Sequence, residues 1–236
     1  MTPACIDEKT SALLNKVQGT VNILFVEKDI DDCQFILENE SAIIYFNSQK
    51  TNAPSIACEV LRIWLAQLDF DIGKHLYVST RGHHKLTKFL IHSLCDHIND
   101  CCCHFKLYTH FLEMGYRTED FTCNTLPPVM KFHELKRMKP AFFGVYKTQT
   151  VQKIIKTLFT ILATQKEEGE YNVHLLLIQQ KLSGLYDIII DFWQQWKAFD
   201  VAHIDTIYNS DLELTEKLAQ KLEDWADDKI FILSKS

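Results

Sequence analysis

The chain has 236 residues, 47% of them hydrophobic, with 25 basic against 31 acidic side chains and a formal net charge of -6 at pH 7. That is ample apolar material for a packed core. Charges scattered without a long block of either sign disfavour an extended nucleic-acid or anionic-membrane surface, although a local basic patch is compatible with the balance.

Eight cysteines would suit a disulfide framework in a much shorter secreted chain, but the first residues lack the basic start and apolar run of a secretory leader. The expectation is reduced thiols in a cytoplasmic protein. Apolar runs at 173–178 and 185–190 are interrupted well before the roughly 20 residues that cross a bilayer.

With 7 glycines and 5 prolines there is little linker material and no fixed repeat, which predicts a single domain over 1–236. Residues 20–27 and 41–48 are short and rich in Val, Ile, Phe and Tyr, the pattern of strands, with acidic turns at 29–32 and 38–40. The first fifty residues are therefore expected to be the β part. Asn52 can cap, and Pro54 can open, a helix running to about Leu68. Residues 85–114 follow as one or two helices that stop at Met114-Gly115-Tyr116, and Pro127 and Pro128 mark a loop. Helical spacing returns at 150–165, 171–199 (with a kink near Gly184) and 211–227, where Leu212, Leu218, Leu222 and Trp225 predict the docking face. The predicted class is α+β and predominantly helical: a small N-terminal antiparallel sheet packed on the 54–68 helix, and a helical C-terminal half.

The 54–68 helix carries the most informative residues, Cys58, Glu59 and Arg62, in an otherwise apolar run. Positions four apart share a helix face and the next residue is turned by about 100°, so Cys58 and Arg62 are expected to face one space with Glu59 beside it. His-Glu-x-x-His uses the same spacing to grip zinc and activate its water. The chain here resembles the zincin-like metallopeptidases: Ala42-Ile43-Ile44-Tyr45-Phe46-Asn47 stands as the strand before the motif helix and Phe111-Leu112-Glu113-Met114-Gly115-Tyr116 as a downstream segment. The resemblance spans about 20–121, with 140–236 as a helical extension. It implies Glu59 in the place of the general base, Cys58 at the first ligand position and Arg62 at the second. Thiolate ligates zinc well, but a guanidinium has no lone pair to give. Arg62 is thus the substitution that defines the site, able to pair with Glu59 where a metal would have stood. A simple intrahelical pair beside core-filling Cys58 is the plainer alternative. A lowered thiol pKa at Cys58 would be needed for a cysteine nucleophile.

His97, Cys101 and His104 recur at steps of four and three, so one helix aligns them along a stripe. Imidazole and thiolate are both favoured zinc ligands, and within the resemblance His97 or His104 takes the third-ligand role. His133-Glu134-Leu135-Lys136-Arg137 begins like the protease motif but ends in arginine and predicts an exposed short helix.

Three functional readings follow. In the first, a metallopeptidase-like protein with a degenerate zinc site needs no cofactor and binds a protein or peptide, with the strand at 42–47 as a possible edge for an added strand. It expects neither nucleic acid nor membrane as partner. In the second, a zinc hydrolase uses Cys58 with His97 or His104 as metal ligands and Glu59 as base. The third is a structural helical adaptor.

Overall fold

The computed structural model describes residues 3–38, 41–68, 70–123, 126–164, 169–201 and 211–233. Asn39 and Glu40 of the expected turn, Asp69 of the expected helix break and Gln165 at an expected helix end lie outside them. The chain divides into two compact units, one of residues 1–70 and 103–125, the other of 71–102 and 126–236.

The first unit opens with a helix that composition did not suggest, α1 (Glu8–Val17). The Asp7 side chain accepts the Thr10 amide at 2.8 Å, capping it, and Thr10, Leu14 and Val17 form its buried stripe. Asp7 also accepts the Tyr116 hydroxyl at 2.7 Å. Strands β1 (Asn22–Glu27), β2 (Gln34–Glu38) and β3 (Ser41–Phe46) then build a three-stranded sheet. Its order is β1-β3-β2, with β1 parallel and β2 antiparallel to β3. The sheet is therefore mixed, which corrects the antiparallel expectation. Residues 34–37 had no place in that expectation and Glu38 was expected in a turn, yet all five supply a strand.

Central position also corrects the role given to 42–47. Hydrogen-bonded on both sides, β3 offers no free edge, and the edges belong to β1 and β2. Ala42, Ile44 and Phe46 are buried along one side of β3, the period-2 signature of a sheet covered on one face.

Helix α2 (Ala53–Gln67) follows, with the Asn52 side chain accepting the Ser55 amide at 2.9 Å and Pro54 in the first turn, as expected. After α3 (Ile72–Ser79) comes α4 (His92–Glu113), which contributes 92–102 to the second unit and 103–113 to the first. Gly115, at φ 80°, takes the left-handed conformation where the helix stop was predicted.

The second unit holds α3, α5 (Phe132–Arg137), α6 (Thr148–Ala163), α7 (Asn172–Lys181), α8 (Ser183–Ala198) and α9 (Asp211–Ala226). The kink expected near Gly184 is a break at Leu182 between α7 and α8. A small sheet was not anticipated in this half: β4 (Ala141–Phe142), β5 (Val145–Lys147) and β6 (Ile230–Ile232), ordered β4-β5-β6. On α9, Leu218 and Leu222 are buried as predicted but Leu212 is exposed, and the inward stripe instead starts at Asp211 and Thr215. The Asp211 carboxylate accepts the Asp71 amide at 3.1 Å and lies 2.9 Å from His75 Nδ1, so a charged residue holds the start of α9 against α3. No helix among the described residues is long and apolar enough to cross a membrane.

Gly73 marks where α3 lies against α4, since a Cβ there would stand 2.8 Å from the Cys95 carbonyl oxygen and 3.0 Å from Asn99 Cβ. Alanine gains about 1 kcal/mol of helix propensity over glycine, but the obstacle is backbone, and overpacking costs about 1–3 kcal/mol. Gly73→Ala is expected to be net destabilising by about 1 kcal/mol, read as a lower urea midpoint at unchanged slope. A midpoint equal to or above wild type would show that the two helices have room to part.

Candidate functional site: a polar cavity floored by Glu59 and Arg62

Apolar residues occupy most of α2: Ile56, Ala57, Val60, Leu61 and Ile63 are all buried. Ser55, Glu59 and Arg62, spaced four and three apart, share the remaining face. They line a cavity of about 680 Å³ in the first unit together with Asp31, Asp32, Cys33, Lys50, Thr51, Phe121 and Thr122.

Glu59 is only 6% exposed. Arg62 Nη1 donates to both of its oxygens, at 3.2 and 3.1 Å, and the guanidinium carbon lies 4.9 Å from the centre of the Phe35 ring on β2. The cation is thus held between a carboxylate and an aromatic face. Burial pushes the Glu59 carboxyl above the ordinary range, while the Arg62 charge and hydrogen bond and the Phe35 amide pull it back in part. Nearby Cys33 is pushed up to about 12 by burial and by the Glu59 charge, so it stands as a neutral thiol. At the rim Lys50 Nζ reaches Asp31 at 2.7 Å, an exposed pair worth about 0–1 kcal/mol.

Cys58 is engaged elsewhere: it is bonded to Cys123. This corrects the expectation of reduced thiols for that pair; Cys5, Cys33 and Cys95 remain free thiols. A sulfur in a disulfide is neither a thiolate ligand nor a nucleophile as it stands. The bridge joins residues 65 apart, and closing such a loop restricts the unfolded chain by about 4 kcal/mol, far more than the rim pair contributes. It also fixes Phe121 and Thr122 beside α2 as part of the cavity wall.

The stripe on α4 parts between the units. His97 is buried in the second, its Nε2 within 3.2 Å of the Lys156 carbonyl oxygen, 3.1 Å of Thr160 Oγ1 and 3.5 Å of Cys101 Sγ. A carbonyl only accepts, so Nε2 bears the proton in that contact, and burial holds the His97 pKa below its ordinary value. His104 lies in the first unit, parallel to Tyr108 at 6.5 Å and edge-on to Phe121 at 5.2 Å. Among the described residues no group of three or more His, Cys, Asp or Glu side chains is placed to hold a metal ion. Of the expected ligands, Cys58 is held in the disulfide, and His97 and His104 belong to different units. The 133–137 segment lies within α5 and is largely exposed, as predicted.

Sequence reasoning missed the far wall. Asp31 and Asp32 fall in the expected acidic turn at 29–32, Lys50 lies between the expected strand and the expected helix, and Phe35 belongs to the unforeseen β2. Cys123 had no detectable signal, because connectivity among many cysteines is not deducible from spacing. Comparison with protein-family models, curated proteins and solved structures finds no match to this chain.

A carboxyl with a raised folded-state pKa binds its proton more readily folded than unfolded, so the stability it contributes is present at low pH and lost as pH rises through the folded pKa. Wild type is therefore expected to lose stability relative to Glu59→Gln from about pH 4 upward, measured by urea unfolding of both proteins from about pH 4 to about pH 8. A difference running the other way would mean that Arg62 outweighs burial.

Proposed function

We propose that this chain is a metallopeptidase-like protein with a degenerate zinc site that works by binding a protein or peptide in the α2 cavity rather than by catalysis. The observation that carries this reading is the Glu59–Arg62 pair, in which one guanidinium nitrogen occupies both carboxylate oxygens on the cavity floor. A general base works through its affinity for a proton, and the Arg62 charge and hydrogen bonds lower the affinity that burial alone would give Glu59. The order of elements, β3 and then α2 bearing a buried glutamate, supports the zincin-like part of the reading. The cavity presents both charges and an aromatic wall, a surface suited to the mixed polarity of a peptide chain. Either edge strand, β1 or β2, is open to an added strand.

The same reading places the protein in the cytoplasm, where the Cys58–Cys123 bridge would be a reversible link. Alkylating thiols in intact cells before lysis should then find both cysteines modified in part of the population; complete protection of the pair would move the protein to an oxidising compartment.

Peptides selected from a random library against the full chain are expected to bind wild type and to lose about tenfold or more in affinity on Arg62→Ala. Denatured casein with added zinc should remain intact. Cleavage that disappears in Glu59→Gln would establish the zinc hydrolase reading, and peptides indifferent to Arg62→Ala would remove the cavity as the binding site.

A further inference from the structure

The small sheet of the second unit has two unlike faces. Register sets Phe142 opposite Val145, Val145 opposite Ile230, and Lys147 opposite Ile232; residues opposite one another share a face, and neighbours along a strand alternate. The other face carries Tyr146 and Phe231, packed at 5.7 and 6.0 Å on Trp225, with Phe231 also stacked on Phe89 at 5.1 Å. That face is core. The outward row is apolar yet open to water: Phe142 is 65% exposed and Ile230 62%, with Leu233 at 79% just beyond.

At one end of the row the chain turns in two residues. Phe143 and Gly144 have φ of 48° and 76°, the pattern of a type I′ hairpin turn, whose first central position favours Asn, Asp or Gly. Phenylalanine takes the left-handed region at a steric cost. Burial does not offset that cost, because Phe143 is 92% exposed, its ring 4.5 Å from that of Phe142. Strain of this kind at an exposed aromatic tip is a mark of function rather than of packing.

The chain leading into and through the hairpin is also basic in sequence. Between 131 and 147 the chain carries Lys131, Lys136, Arg137, Lys139 and Lys147 against Glu134 alone. All five cations are exposed, and none is ion-paired among the described residues. Asp227 and Asp228, just before β6, lie near Lys85 at 3.8 Å and Lys229 at 2.6 Å.

We propose that this face is a docking surface for an anionic lipid bilayer, with Phe142 and Phe143 entering the boundary between headgroups and acyl chains and the lysines and arginine of 131–147 meeting the anionic headgroups. A bilayer offers negative charge at its surface and apolar depth beneath it, the order in which the patch presents cations and aromatic tip. A second copy of the chain fits less well, since a two-fold contact would set the five cations against their own equivalents. The net charge of -6 does not oppose the contact strongly, because charges farther than about 8 Å are screened at physiological salt.

Co-sedimentation of the full chain with phosphatidylcholine vesicles, and with vesicles of equal parts phosphatidylcholine and phosphatidylserine, tests this. Binding is expected to the second only and to weaken as salt is raised. Phe143→Asn supplies the residue the turn prefers, so the protein should be at least as stable as wild type by urea unfolding while vesicle affinity falls about tenfold or more. Lys139→Gln should lower affinity about fivefold, the effect of one cation near the surface. Equal binding to both vesicles, binding unchanged by Phe143→Asn, or no binding at all would overturn the proposal. A concentration-dependent dimer that Phe143→Asn abolishes would assign the patch to a second copy instead.

Discussion

Glu59 sits on a helix whose other positions are almost all apolar, and burial there leaves its carboxylate with little water to solvate it. An ionised group in that position needs a partner. Arg62, one turn along α2, supplies it with both hydrogen bonds from a single nitrogen, and the Phe35 ring of β2 lies over the guanidinium. That pairing lets α2 be buried along its length and still present a polar face, and around that face the remaining cavity walls are arranged. Remove the charge balance and the helix has no reason to tolerate a carboxylate among Ile56, Val60 and Ile63.

The wall opposite depends on a covalent constraint. Residues 121–123 reach α2 across a long stretch of chain, and the Cys58–Cys123 bridge holds them there at a level that hydrogen bonds at an exposed rim do not match. One cysteine of the sequence motif thereby acquires a use unrelated to metal binding, and the glutamate beside it becomes the centre of an ion pair. The site sets charged side chains and Phe121 around a cavity of about 680 Å³.

Legibility in the sequence followed the range of the interactions. The α2 cap at Asn52, the stop at Gly115, the broken helix near Gly184 and the Glu59–Arg62 pair are all local, set within one to four residues, and each was readable. Strand β2 was hidden because Gln34-Phe35-Ile36-Leu37-Glu38 lacks strict alternation and gains its state from pairing with β3. The parallel pairing of β1 with β3 depends on which strand the chain inserts between them, a choice no periodicity encodes. The whole-chain charge likewise concealed the basic run around the Phe143 hairpin, since an average carries no position. On α9 the apolar spacing suggested Leu212 for the inward face; the buried place went to Asp211, whose carboxylate accepts the Asp71 amide and lies against His75, partners that local spacing does not reveal.

By itself the sequence determined the helical character of the chain, the positions of its caps and stops, and the proximity of Glu59 to Arg62, because each is settled by neighbours within a turn or two. Only the tertiary structure decided that Cys58 bonds to Cys123, that His97 and His104 serve different units, and that the hairpin at Phe143 stands open to water. Those outcomes depend on which distant segments meet, and the free energy of such meetings resides in packing and loop closure rather than in any local run of residues.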